Sequence, residues 1–153
     1  MPQLVKGGKH VYGWSKVHPE GKIIIPLEAL EEYGFQTGEN VILLPGSRTS
    51  GGFGITSVRV LEGSPISGIL EELPQLSEYR MEEGTWIVHN KRIFSWLRMQ
   101  EGYIVVPLKT LEMYGAHQGN SLLCVRGSGL ALGFLIKGPL YELAQKHQNI
   151  DVF

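Results

Sequence analysis

The sequence predicts a mainly β fold with short helices, built from one unit written twice. Three observations carry that expectation. The stretch Gly21–Gly34 returns as Gly102–Gly115, 81 positions later. Each copy places a β-branched run, Ile23–Ile25 or Ile104–Val106, directly before a proline, Pro26 or Pro107. Such runs favour buried strands, and proline ends a ladder while suiting the start of a helix. The 20 glycines and 8 prolines among 153 residues imply many turns.

Taken in order, residues 3–17 read as one or two arm strands, with Gly7-Gly8 as a hairpin-type turn. His18-Pro-Glu-Gly21 turns the chain into the first β-branched strand. In the helix that follows, Leu27 and Leu30 are expected on one buried face, as are Leu108 and Leu111 in the second copy. Gly34 and Gly115 stand where a left-handed cap is wanted. Two helical turns are marginal alone, so each helix is expected to dock on a sheet. Val41–Leu44 reads as a buried strand, Gly46–Gly52 as a loop and Phe53–Val60 as a strand. A helix over 64–73 carries Ile66, Ile69, Leu70 and Leu73 on one face and stops at Pro74.

From Thr85 the pattern repeats. Gly21–Ile55 and Gly102–Ile136 are identical at 14 of 35 positions without a gap, which reads as duplication. Upstream, Val11–Val17 lines up with Ile93–Met99; downstream, Gly138–Ala144 matches the earlier proline-initiated helix. The expected organisation is a first repeat over 1–73, a linker over 74–84 and a second repeat over 85–153. Two copies are too few for a solenoid. They are expected to bury their apolar faces on each other, as the subunits of a dimer would.

An apolar content of 42% is enough for a core. No apolar run approaches the roughly 18–20 residues that cross a bilayer, and Met1-Pro-Gln-Leu-Val-Lys lacks the apolar core of a signal peptide. The single cysteine, Cys124, lies inside Leu122–Val125 and reads as a core residue; a reducing cytoplasm is the expected compartment.

The order basic arm, Gly-Lys-Ile-Ile-Ile-Pro, short helix ending in Tyr-Gly, then Gly-Glu-Asn-Val resembles the SpoVT/AbrB-like swapped-hairpin family. The likeness covers residues 9–44 and again 91–125. It implies that two such units interlock into one small pseudo-dimeric β-barrel, here supplied by a single chain. It also implies a DNA-binding transcriptional regulator. Lys22 matches the basic residue after the motif glycine and Lys16 a basic residue of the arm; Arg98 matches Lys16, whereas Tyr103 replaces the second post-glycine base. Regulators of the MraZ type also carry two units, but their Asp-x-x-x-Arg signature is absent from His18–Lys22 and Met99–Tyr103.

Charge distribution bears on the same question. The net charge is −1, so nothing global points to nucleic acid. Residues 1–22 and 89–98 are nonetheless each net +3, while 59–85 is net −4. Two basic ribbons could straddle a duplex through Lys9, Lys16, Lys22, Lys91, Arg92 and Arg98; lysines solvating edge strands would look the same. The alternative is a small-ligand or protein-interaction module that has lost DNA contact. Trp14 and Trp96 occupy equivalent arm positions and read as rings covering the core. The glycine loops Gly46–Gly52 and Gly127–Gly133 lack Gly-Lys-Ser/Thr and dinucleotide spacing; their shared Gly-Ser-x₄-Gly-Phe-x-Ile points to a backbone constraint or a small-ligand site. Histidines 10, 18, 89, 117 and 147 show no metal-ligand spacing, and Ser47 and Ser128 have no adjacent base. Neither an enzyme nor a cofactor is expected. The helices 64–73 and 138–147 offer apolar faces for docking or for homo-oligomers.

Overall fold

The structure is a computed structural model and describes residues 10–64, 68–78, 80–127 and 130–153. Gly7-Gly8, Lys9, the Pro65–Ser67 start of the expected helix and Ser128 lie outside the described residues. The first half runs β1 (Val11–Lys16), a 3-10 turn (Pro19–Gly21), β2 (Lys22–Ile24), α1 (Leu27–Tyr33), β3 (Asn40–Pro45), β4 (Phe53–Ser57), α2 (Val58–Glu62), α3 (Gly68–Glu72) and α4 (Pro74–Ser77). The second runs β5 (Trp86–His89), β6 (Arg92–Arg98), β7 (Tyr103–Val105), α5 (Leu108–Met113), β8 (Ser121–Arg126), β9 (Leu132–Leu135) and α6 (Pro139–Gln145).

The strand–proline–helix unit forms in both halves with matching bonds. The Leu30 N–H donates to Pro26 O and that of Leu111 to Pro107 O, each at 3.0 Å. The prolines are extended, with φ −54° and −51°, and stand just outside their helices. Gly34 closes α1 in the left-handed region at φ 67°; Gly115, at φ 84°, follows the slightly shorter α5.

The strands form two antiparallel sheets: seven strands in the order β1-β8-β9-β4-β3-β6-β5, and the ribbon β2-β7. Arm strands cross between halves, since β1 pairs with β8 and β6 with β3. In the ribbon Ile23 lies opposite Ile104, and between β4 and β9 Phe53 lies opposite Phe134. Both are pairs of residues 81 positions apart, so the two halves meet through corresponding residues in the ribbon and at the sheet centre. The Phe53 and Phe134 rings stack at 5.1 Å.

Alternation along each strand sends its residues to two faces. Val41, Leu43, Leu122 and Cys124 join Ile23, Ile104, Phe53 and Phe134 in the main core beneath the ribbon. On the opposite face Ile42, Leu44, Phe94 and Trp96 pack with Leu61, Leu70, Leu73 and Leu76 of the α2–α4 region. At the other end of that face Leu123, Val125 and Leu135 pack with Ala144 and Leu140 of α6.

Four expectations are corrected. The closed β-barrel does not form: β1 and β5 end an open sheet. The outer edge of β1 is instead taken by the C-terminal residues, with Trp14 N–H on Asp151 O (2.8 Å) and Phe153 N–H on Trp14 O (2.7 Å). Leu27 and Leu108 are not on a buried face but 68% and 37% exposed, because α1 and α5 turn inward on Ala29 and on Thr110 with Leu111. The strand expected to reach Val60 ends at Ser57, whose Oγ accepts the Val60 N–H at 3.0 Å and caps α2. The counterpart of α6 is therefore α2, at the same shift of 81, rather than the helix over 64–73.

The expected linker 74–84 contributes α4 and the fully buried Leu76. Trp96 is buried, its Nε1–H donating to Met81 O at 3.0 Å, and Trp14 is half-buried, edge-on to Tyr141 at 5.0 Å. Both rings serve packing.

Candidate functional site

The expected phosphate contacts separate into two groups. Lys16 and Arg98 end their arm strands, both exposed, opposite Ser121 and Asn40 respectively. These are corresponding places in the two halves, 82 positions apart on the arm and 81 on its partner. Lys22 opens β2 on the exposed face of the ribbon, with its Nζ 4.4 Å from the centre of the Tyr103 ring. That contact is a cation–π pair between positions 22 and 103, themselves equivalent.

Lys91 and Arg92 sit at the far end of β6. Asn90 and Lys91, at φ 50° and 64°, form the tight turn that joins His89 to Arg92. At about 3.3 Å per residue this turn is roughly 20 Å from Arg98. The Arg92 guanidinium lies 5.5 Å from the Phe94 ring. Lys9 lies outside the described residues.

Carboxylates interleave with the first group. Glu20, in the turn before Lys22, and Glu101, in the equivalent turn before Tyr103, are both exposed. The Arg98 backbone N–H donates to Glu83 Oε2 at 3.2 Å.

A polar cluster that sequence reasoning missed joins the halves on another side. Tyr12 Oη donates to Glu32 Oε2 at 2.8 Å, and the Arg126 guanidinium donates to the same oxygen. Arg126 holds the Glu32 carboxyl below its ordinary range, and burial together with Glu32 pushes the Tyr12 hydroxyl up. The three residues are far apart in sequence, and no local pattern announces them. Burial likewise pushes the Cys124 thiol up.

Over 46–52 the glycine loop is closed by Gly46 N–H on Gly52 O (3.1 Å) and Gly51 N–H on Ser47 O (2.7 Å). Ser47 Oγ accepts the Ser50 N–H at 3.1 Å and shares a 2.7 Å hydrogen bond with Ser50 Oγ. Ser50 O in turn accepts the N–H groups of Ile136 and Lys137 just after β9. Gly52 is at φ 67°, and a β-carbon there would lie 2.0 Å from Phe134 O. Gly52 thus answers a backbone constraint, since the first loop crosses the partner strand at van der Waals distance; at Gly133, without a positive φ, a β-carbon would meet only the Val125 side chain closely, at 3.1 Å.

Among the described residues no group of three or more His, Cys, Asp or Glu is placed to hold a metal ion. Among these residues no helix is long and apolar enough to cross a membrane. Fold and surface define a mainly β protein with short helices and two antiparallel sheets. Comparison with protein-family models, with curated proteins and with solved structures finds no match to this chain.

Proposed function

We propose that the chain is an internally duplicated swapped-hairpin protein of the SpoVT/AbrB type, acting as a non-enzymatic DNA-binding regulator. Lys16, Lys22 and Arg98 would meet duplex phosphates. The observation that supports this reading best is the two-fold placement of Lys16 and Arg98 on either side of the ribbon. A duplex backbone presents locally two-fold phosphates, which a protein with matching symmetry can meet on both sides. Lys16 and Arg98 stand five strands apart in the sheet, about 24 Å measured across the strands at ~4.8 Å per strand, against a major groove about 12 Å wide. Lys91 and Arg92, at the hairpin turn that begins β6, are not part of that two-fold pair.

So few phosphate contacts imply weak binding that salt abolishes readily. Fluorescence anisotropy with a mixed duplex pool tests this. Affinity should fall steeply with salt, and the Lys16→Ala/Arg98→Ala double variant should flatten the log–log slope by about 2. An unchanged slope would remove these residues from the interface.

A second reading is favoured by Glu20, Glu83 and Glu101 among the bases and by the Lys22–Tyr103 pair. On that reading the scaffold is a binding module without DNA contact. Absence of any binding at low salt would select it.

A further inference from the structure

A cleft of about 600 Å³ opens between the 46–52 loop of the first half and α6 of the second. We infer that it is a binding site for a small amphipathic anion, a molecule with an apolar body and one carboxylate or phosphate head. The inference is independent of whether the chain binds DNA. The volume lies in the usual range for small-molecule sites. One wall is apolar, formed by Leu135, Pro139, Leu140 and Leu143.

The rest of the lining suits an anionic head. Ser47, Thr49 and Ser50 bring hydroxyls, and Lys137 and Lys146 bring two charges against one, Glu142. Among the described residues neither lysine is in an ion pair. The single bond between Ser47 Oγ and Ser50 Oγ leaves one hydroxyl hydrogen free to donate. The loop is held to the end of β9 through Ser50 O, so the cleft is formed in advance, which lowers the ordering cost of binding.

The other half fills the corresponding place. At a shift of 81, Thr49 and Ser50 become Leu130 and Ala131, Pro139 becomes Val58, and Glu142 becomes Leu61. Leu130 and Ala131 pack with Val58 against the cluster that holds the fully buried Leu61. The loop side of this place is therefore apolar and packed in one half, and polar and open in the other. Filling is available to this sequence, and the first loop does not use it.

Isothermal titration with decanoate, decyl phosphate and decanol tests the inference. Decanoate or decyl phosphate should bind the intact chain, and which of the two binds tighter identifies the head group. Decanol should bind at least about tenfold more weakly, the loss expected for a missing charge-assisted hydrogen bond. Lys137→Ala/Lys146→Ala, both exposed positions, should weaken anion binding by about tenfold or more at unchanged melting temperature. Thr49→Leu/Ser50→Ala, which copies the second loop, should abolish binding, and Leu130→Thr should leave it unchanged. The inference is overturned if neither anion binds, if decanol binds equally well, or if the lysine pair can be removed without effect.

Discussion

Beside the first glycine loop, Thr49 and Ser50 border an open cleft, with Lys137 and Lys146 at its rim. Beside the second, the residues 81 positions on are Leu130 and Ala131, packed with Val58 against the cluster of Leu61, Leu70 and Leu76. Backbone and neighbouring strands correspond, yet one place is sealed and the other is not. The outer face of a sheet must be covered for the fold to persist, and α2–α4 do this over β3, β6 and β5. Over β8 and β9 the single helix α6 covers less. What the second loop contributes to stability, the first leaves available for recognition.

The contrast can be broken most forcefully at the ribbon. Gly21 and Gly102 are equivalent, both at positive φ, and each accepts a matching hydrogen bond, from Val106 N–H (3.0 Å) and Ile25 N–H (2.9 Å). A β-carbon at Gly21 would lie 1.8 Å from Val106 O, whereas at Gly102 nothing lies within 4 Å. Gly102→Ala should cost about 1 kcal/mol, from backbone strain alone. Gly21→Ala should cost more than about 4 kcal/mol and lose the fold at moderate temperature. Urea unfolding of both variants gives the comparison, and equal losses would refute the asymmetry.

The next largest effect separates the sealed side from the open one. Leu61→Ala removes a fully buried side chain and should cost about 2–5 kcal/mol. Leu143→Ala trims a half-buried wall of the cleft and should cost about 1 kcal/mol or less. Similar losses would mean that the cleft is as tightly packed as its counterpart.

Smaller effects sharpen the difference in polarity. Glu32 corresponds to Met113, and only Glu32 has an arginine partner. Its folded-state carboxyl is held below the ordinary range by Arg126. Its contribution to stability is thus present above the unfolded carboxylate value of about 4.3 and lost as pH falls through the depressed folded one. Glu32→Gln should lower the melting temperature at neutral pH, with the gap from the parent closing in acid. A gap constant with pH would show that Arg126 does not set it. Cys124, the counterpart of Leu43, is fully buried with its thiol pushed up. Ellman's reagent should leave it untouched in the native chain and react on unfolding.

Much of the fold was legible because the signals are local. Ile23–Ile25 before Pro26, the cap at Gly34 and the matching run at Ile104–Val106 each state a conformation within a few residues. Leu27 and Leu108 misled because periodicity assigns them to the buried face, while the orientation of α1 and α5 is set by what the helices dock upon. The end of β4 was hidden by Val58, Val60 and Leu61, apolar residues that suit a strand as well as the short helix they join; the deciding signal was the cap at Ser57. Sequence could not reveal the covering of β1 by residues 151–153 or the Tyr12–Glu32–Arg126 cluster, since both depend on long-range placement. The basic residues were visible singly, but their division between the two ends of β6 needed the turn at Asn90-Lys91.

The central claim is that each half completes its sheet only with strands of the other, through β1 on β8 and β6 on β3. Co-expression of residues 1–78 and 79–153 as separate chains tests it most directly. The account predicts that neither piece folds as a monomer, and that together they form a one-to-one complex with the circular dichroism and cooperative melting of the intact protein. A piece that folds alone as a stable monomer would contradict it.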